Sequence, residues 1–280
     1  MQADGRARPI PRQGIWSDGG VSVAAVMDAV CGGRSGLGSP RLVADQMTAI
    51  SPLLVAGLRA ERSFVNRAAI EAAKHGARQF VQVSCGFPGT RMLHEAAGRE
   101  RHGARTVYVD PDSAAVAVFD MLTMGDATVA AVVGDVLHPD ELLSVDRVRA
   151  VLDLSRPVCL VLGGSLAHIS NDDDPDSVLA VWREHLAAGS WLVVTHPTPG
   201  ETGPESNAAW QAAKVFEAAT GMPLRLRTAE QVARLLTECE LRPPGLQPVN
   251  RWRPALLRGQ PVPMLGAIAT LPGDGGESEG

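Results

Sequence analysis

Lysine is nearly missing from this chain: Lys74 and Lys214 are the only two in 280 residues. Arginine makes up the rest of the 26 basic side chains, and 31 acidic ones leave a formal charge of −5. No global positive field exists to draw the protein onto nucleic acid or an anionic membrane, so neither is expected as a partner. Long apolar runs are missing too. Stretches such as Val158 to Leu162 and Trp191 to Val194 fall far short of the roughly 20 residues a membrane helix needs. Met1 to Pro11 is polar and arginine-containing, with no apolar segment behind it, so no secretory signal is read and the cytoplasm is the expected compartment. The four cysteines, Cys31, Cys85, Cys159 and Cys239, are widely separated. They form no Cys-x-x-Cys pair for zinc or redox work and are expected as reduced, mostly buried thiols, with no metal. No Gly-x-Gly-x-x-Gly follows any strand-like run, which sets aside a nicotinamide-dependent oxidoreductase.

What remains is an ordinary globular chain, 45% apolar and 20% charged, long enough to bury one full core. Val21 to Cys31 and Pro40 to Lys74 read as helical, with Pro52 dividing the second stretch and Gly76 stopping it. Short β-rich runs then follow at Gln79 to Ser84, Thr106 to Asp110, Thr128 to Asp135, Pro157 to Leu162 and Ser190 to His196. Amphipathic segments separate them, which predicts parallel βαβ crossovers and a doubly wound α/β sheet covered on both faces. A helix over Pro204 to Thr220 ends at Gly221, and Thr228 with Gln231 forms a capping-box signal for another. Two last extended candidates, Gly245 to Trp252 and Val262 to Thr270, predict a C-terminal antiparallel hairpin. The expected organisation is a flexible stretch over 1–15, a helical cap over 16–76, a core over 77–270 and a disordered tail over 271–280. The hairpin and the apolar N-terminal helices could form a homodimer interface or simply bury against the sheet.

In an open parallel sheet, ligands bind beyond the carboxyl ends of the strands, where strand order reverses. The first such end, Val83-Ser84-Cys85-Gly86-Phe87-Pro88-Gly89-Thr90, is a small-residue turn that lets a ligand approach backbone amides. The second ends at Asp110, placed to accept hydrogen bonds from both ribose hydroxyls. The third ends at Asp135, where a carboxylate or nearby backbone addresses an adenine amino group. Each Asp taken singly reads as a helix cap, but three such ends in succession favour an adenosine-type ligand.

Several longer segments carry a resemblance: VMDAVCGGRSGLG, RAERSFVNRA, QVSCGFPGT, TVYVDPDSAAV, LDLSRPVCLVLGGSLAHISNDDDPDSV, GSWLVVTH and PGLQPVNRWRP. Through them the chain resembles the actinobacterial S-adenosylmethionine-dependent methyltransferase family long catalogued as a domain of unknown function in Streptomyces and relatives. The resemblance spans nearly the whole chain. It implies a class I methyltransferase-like, Rossmann-like sheet of seven mostly parallel strands with an N-terminal helical cap. It also implies S-adenosylmethionine, or its product S-adenosylhomocysteine, as ligand and a small-molecule O or N acceptor. On this reading Asp110 holds the ribose, Asp135 the adenine, and Gln82, Ser84, Gly86 and Pro88 the methionine end. Arg62 approaches the carboxylate, and Gly32 and Gly33 survive from the family's cap motif. His168 and His196, at two strand ends, are the candidate general bases, each weighed against a plain hydrogen-bonded rim role. The departures are local. The family's Asp-x-Gly-x-Gly-x-Pro-Thr signature becomes Gln82, Ser84, Gly86, Pro88, Gly89, and Gln82 cannot supply the charge an Asp would place near an ammonium group.

Two rivals follow. A protein that keeps this fold but no longer methylates, serving as a repurposed enzyme or a ligand-binding or regulatory protein, fits the altered first motif. A serine hydrolase is suggested by Gly163-Gly164-Ser165-Leu166-Ala167 with Asp172 to Asp174 and His196 following, although the elbow's last glycine is missing. The run Asn171 to Asp174 reads as the cap of a helix over Pro175 to Ala188.

Overall fold

The computed structural model describes residues 20–170, 174–200, 203–252 and 260–272. The expected flexible N-terminus, nearly all of the expected tail, and Asn171 to Asp173 lie outside the described residues. Three helices open the chain: α1 (Val23–Val30), α2 (Ser39–Ile50) and α3 (Pro52–Lys74). Pro52 sits in the first turn of α3 with Ser51 as its cap residue, where a missing N–H costs nothing and a fixed φ helps. Then come β1 (Gln79–Val83), α4 (Leu93–Glu100), β2 (Arg105–Asp110), α5 (Ser113–Leu122), β3 (Val129–Val133), α6 (Pro139–Ser144), α7 (Asp146–Val151) and β4 (Cys159–Gly163). A 3-10 turn, Ser165–His168, leads to α8 (Pro175–Glu184), β5 (Trp191–Pro197), α9 (Pro204–Thr220), α10 (Ala229–Arg234), β6 (Glu240–Leu241), β7 (Gln247–Pro248) and β8 (Met264–Thr270). The capping box at Thr228 and Gln231 forms as expected.

The strand order is β3-β2-β1-β4-β5-β8-β6, with β7 also on β8. The first five strands pair in parallel and β8 enters antiparallel to β5. This is the class I methyltransferase arrangement, mostly parallel with an antiparallel end. The last position of the sheet differs from the seven-strand expectation. It is shared by two short strands, β6 against Thr270 and Ala269 and β7 against Gly266 and Leu265, so eight strands are present among the described residues. The break falls at Pro243 and Pro244, which cannot donate ladder hydrogen bonds. Leu271, expected in the tail, is buried and bonded by its N–H to the Ser190 carbonyl at 2.8 Å.

Alternation along the strands builds two core layers. Phe80, Tyr108, Val161, Val193 and Ile268 face the layer of α1–α5 and α9. Val81, Val109, Leu160, Val194 and Ala267 face the layer of α6–α8 and the end of α10. Helix α3 buries Leu54, Leu58, Phe64, Val65, Ala68 and Ala72 on one stripe against β4, β5 and β8. At Gly266 a Cβ would meet the Phe64 ring at 2.7 Å, so glycine there lets the helix seat on the sheet.

Candidate active site

Strand order reverses between β1 and β4, and the carboxyl ends of β1 to β4 open there onto a cavity of about 310 Å³. The volume lies within the roughly 300–1,000 Å³ of small-ligand sites. Side chains from α1 and α3 close it from above, among them Met27, Cys31, Leu58 and Val65.

The loop after β1 supplies one wall. Ser84 adopts φ +55 and Gly86 φ +62, the left-handed region that a glycine enters freely and a serine enters with strain. The turn aims the Gly86 N–H at Asp110, whose Oδ2 accepts it at 2.7 Å, while Oδ1 accepts the Asp112 N–H at 2.9 Å. Asp110 is only 4% exposed, and burial raises its carboxyl pKa to about 6 in spite of the two amide donors. Asp112 caps α5 through the amides of Ala114 and Ala115 and also accepts the Ser22 hydroxyl. That contact ties the start of α1 to the β2 end. β3 stops two residues earlier than the sequence suggests, so Asp135 lies in the following loop. Its Oδ1 accepts the Leu137 N–H at 2.8 Å and faces His138 Nδ1 at 2.9 Å. Gln82, Ser84, Gly86, Pro88, Asp110 and Asp135 all line the cavity.

Helix α3 supplies the roof and a residue that the sequence reading passed over. Arg62 reaches the cavity wall, with Nη2 3.8 Å from the Asp28 carboxylate. Beside it Glu61, 8% exposed, turns its carboxyl under the helix. Its Oε1 accepts the Thr195 hydroxyl at 2.7 Å, and Thr195 Oγ1 in turn accepts the Gly164 N–H at 2.8 Å. Burial holds the Glu61 carboxyl above the usual carboxylate range, opposed by the Thr195 hydrogen bond and the Arg62 charge. The signal was present in the sequence: Leu54, Leu58, Glu61 and Val65 recur at helical spacing, placing an acid on the apolar stripe. Gly32 and Gly33 do not reach the cavity wall. They turn the chain after α1 around Asp28, where a Cβ at Gly33 would sit 2.1 Å from the carboxylate. Their effect on the site runs through Asp28 and Arg62.

The two candidate bases part company. His168 lines the cavity at the end of the 3-10 turn. Its Nδ1 donates to the Pro223 carbonyl at 2.8 Å and its ring stacks on Phe216. That fixes the tautomer and leaves Nε2 as an acceptor, while burial lowers the ring pKa. His196 is fully buried and does not line the cavity. Its Nδ1 donates to the Pro197 carbonyl and its Nε2 accepts Arg227 Nη1, both at 2.8 Å. Burial lowers its pKa to about 3. The expected catalytic His196 is therefore a buried link between β5 and Arg227, because both ring nitrogens are engaged inside the protein. The hydrolase arrangement fails on the same ground: Ser165 is fully buried and donates to the Val83 carbonyl at 3.0 Å, and neither His196 nitrogen faces it. Asp174 is the cap of α8, accepting the Asp176 N–H and the Ser177 hydroxyl.

Among the described residues no cluster of three or more metal-ligating side chains occurs, and no helix is long and apolar enough to cross a membrane. A family model described as S-adenosyl methyltransferase matches residues 18–271. A protein of the DUF574 family from Streptomyces avermitilis is 30% identical, covering 90% of this chain and 98% of its own, with a TM-score of 0.83. A Thermobifida fusca protein described as a candidate methyltransferase is 28% identical over 92% of this chain and 97% of its own, also with a TM-score of 0.83. No curated protein matches the chain significantly.

Proposed function

The chain belongs to the S-adenosyl methyltransferase family, and from that premise we propose that it methylates an O or N atom of a small molecule, with the cavity above β1 to β4 as the site. One observation carries the reading: Asp110, a carboxylate buried at the end of β2 with no cationic partner among the described residues, lines a cavity of small-ligand size. Each of its oxygens accepts one backbone N–H and keeps a second lone pair for a ligand donor. A ribose, with two vicinal hydroxyls, provides them.

The cofactor supplies an electrophilic methyl group on a sulfonium. The chain's own residues bind, orient and exclude water. Asp110 accepts the ribose hydroxyls, and Asp135 with the backbone of Val136 and Leu137 meets the adenine. The stretch from Gln82 to Pro88, the end of β1 and the loop after it, receives the methionine end, and Arg62 approaches its carboxylate. α1 and α3, within the proposed cap of residues 16–76, screen the cavity from solvent. His168 Nε2, the free base of a fixed tautomer, removes a proton from the acceptor hydroxyl or amine. A small acceptor suits the volume left beside a nucleoside. The four unpaired cysteines support a reducing compartment, the cytoplasm. Exposed Leu37 and Leu42 near the N-terminal helices support a homodimer interface there.

Titration calorimetry with S-adenosylhomocysteine tests the site. The expected result is micromolar binding that Asp110→Ala weakens at least tenfold, and unchanged affinity would count against this placement of the ribose. A second reading, cofactor binding without methyl transfer, draws on Ser84 standing at a left-handed position where the family's pattern has glycine. Retained binding with no methyl release to any acceptor would favour it.

A further inference from the structure

Glu61 is more than nine-tenths buried and lines the cavity. Its Oε1 is held by Thr195, and no other hydrogen bond or ion pair to the carboxyl is present among the described residues. The neighbouring cation, Arg62, directs its guanidinium towards Asp28 and Gly89 instead. The backbone has been cleared for this carboxyl. A Cβ at Gly163 would lie 3.0 Å from Oε1, and one at Gly164 3.3 Å from it. Gly163 ends β4 and Gly164 follows it, and β4 lies directly beside β1, with Leu162 opposite Val83. The Glu61 carboxyl thus stands beside the end of β1, which carries Gln82 and is followed by Ser84. A carboxyl built into a wall, felt by Arg62 only at a distance and ion-paired with no cation among the described residues, is a cation subsite, because an unpaired buried charge is costly until a partner arrives.

Resting on the methyltransferase reading above, we propose that Glu61 binds the α-ammonium of the cofactor's amino-acid end, supplying from α3 the negative charge that Gln82 cannot supply from β1. The adjacent Arg62 completes the match. One helix turn presents an acid and a guanidinium to the same cavity, the complement of an ammonium and a carboxylate carried on one carbon. Thr195 orients the carboxyl by occupying one oxygen and leaving the other for the ligand.

The experiment compares S-adenosylhomocysteine with 5′-methylthioadenosine, which keeps the adenosine and the thioether but lacks the amino-acid end, by calorimetry on the wild-type protein and Glu61→Gln. The amide is isosteric and still accepts from Thr195, so the fold should survive, and thermal melting checks that it does. Affinity of Glu61→Gln for S-adenosylhomocysteine is expected to fall at least tenfold, with methylthioadenosine within twofold of wild type. Glu61→Asp, which keeps the charge on a shorter stem, is expected to fall between. Equal loss for both ligands, or no loss for either, overturns the assignment. If the wild-type protein binds neither ligand, the cofactor reading itself fails, a result distinct from failure of the Glu61 contact.

Discussion

The Gly86 N–H donates to Asp110 Oδ2 at 2.7 Å, fastening the loop after β1 to the end of β2 across the mouth of the cavity. The two residues are far apart in sequence, and their contact sets the width of the slot between two strand ends. It also leaves a carboxyl with its pKa raised to about 6 at the place proposed for the ribose.

That raised pKa fixes the sign of a pH dependence. The folded protein binds the Asp110 proton more tightly than the unfolded chain, so between about pH 4 and pH 6 the contribution of this group to stability falls as pH rises. Ligand affinity runs the other way, since the ionised carboxyl is the better acceptor for two hydroxyls. Binding of S-adenosylhomocysteine should strengthen from pH 5 to pH 7 with a midpoint near 6. Asp110→Asn should flatten that midpoint in a calorimetric pH series. A midpoint that persists in the variant would assign the titration to another group.

Ser84 holds φ +55 beside that contact. A non-glycine residue there carries strain of roughly 1–3 kcal/mol, partly offset by the greater chain entropy a glycine loses on folding. Ser84→Gly should therefore raise stability by about 1 kcal/mol, a rise of roughly 2–4 °C in Tm for a domain of this size. Differential scanning calorimetry reads this directly. A lowered Tm would show that the hydroxyl contributes more than the backbone strain removes.

The strand positions were legible in the sequence because each parallel strand is a compact apolar run with a small or acidic residue at its carboxyl end, as in VYVD and VCLVLGG. The division of the early helices was legible because Pro52 can begin a helix but not continue one. Asp110, Asp135 and the loop around Gly86 could be placed because a doubly wound sheet brings its strand ends together. Pairing with side chains distant in sequence was not legible. Glu61 meets Thr195 from 134 positions away in the sequence, and His196 meets Arg227 inside the core. A strand-end His looks the same in sequence whether its ring points to the cavity or into the protein. The split last strand depends on where β6 and β7 fall along β8, which periodicity over two residues cannot fix.

The two histidines make a paired prediction. His168→Asn should lower kcat by about 100-fold or more, the scale of a lost general base, with cofactor affinity nearly unchanged. His196→Ala should act on the fold instead, leaving the buried Arg227 Nη1 one acceptor short and lowering stability by about 1–3 kcal/mol. Methyl-transfer kinetics and urea denaturation on both variants separate the roles. Activity lost in His196→Ala without loss of stability would return that residue to the reaction.

Gly33 gives a test of how the N-terminal helices reach the site. Its Cα faces Asp28, and a Cβ would fall 2.1–2.2 Å from the carboxylate atoms, a distance no relaxation of a few tenths of an ångström can absorb. The carboxylate also accepts the Ser35 N–H at 2.9 Å, so Gly33→Ala must displace it from that turn and from Arg62 together. Overpacking of this kind costs about 1–3 kcal/mol. The displacement should also free Arg62 from the carboxylate it faces, that of Asp28, and affinity for the carboxylate-bearing S-adenosylhomocysteine should change while that for methylthioadenosine stays the same. A variant that loses stability but binds both ligands as wild type does would confine Gly33 to the turn and remove Arg62 from the ligand.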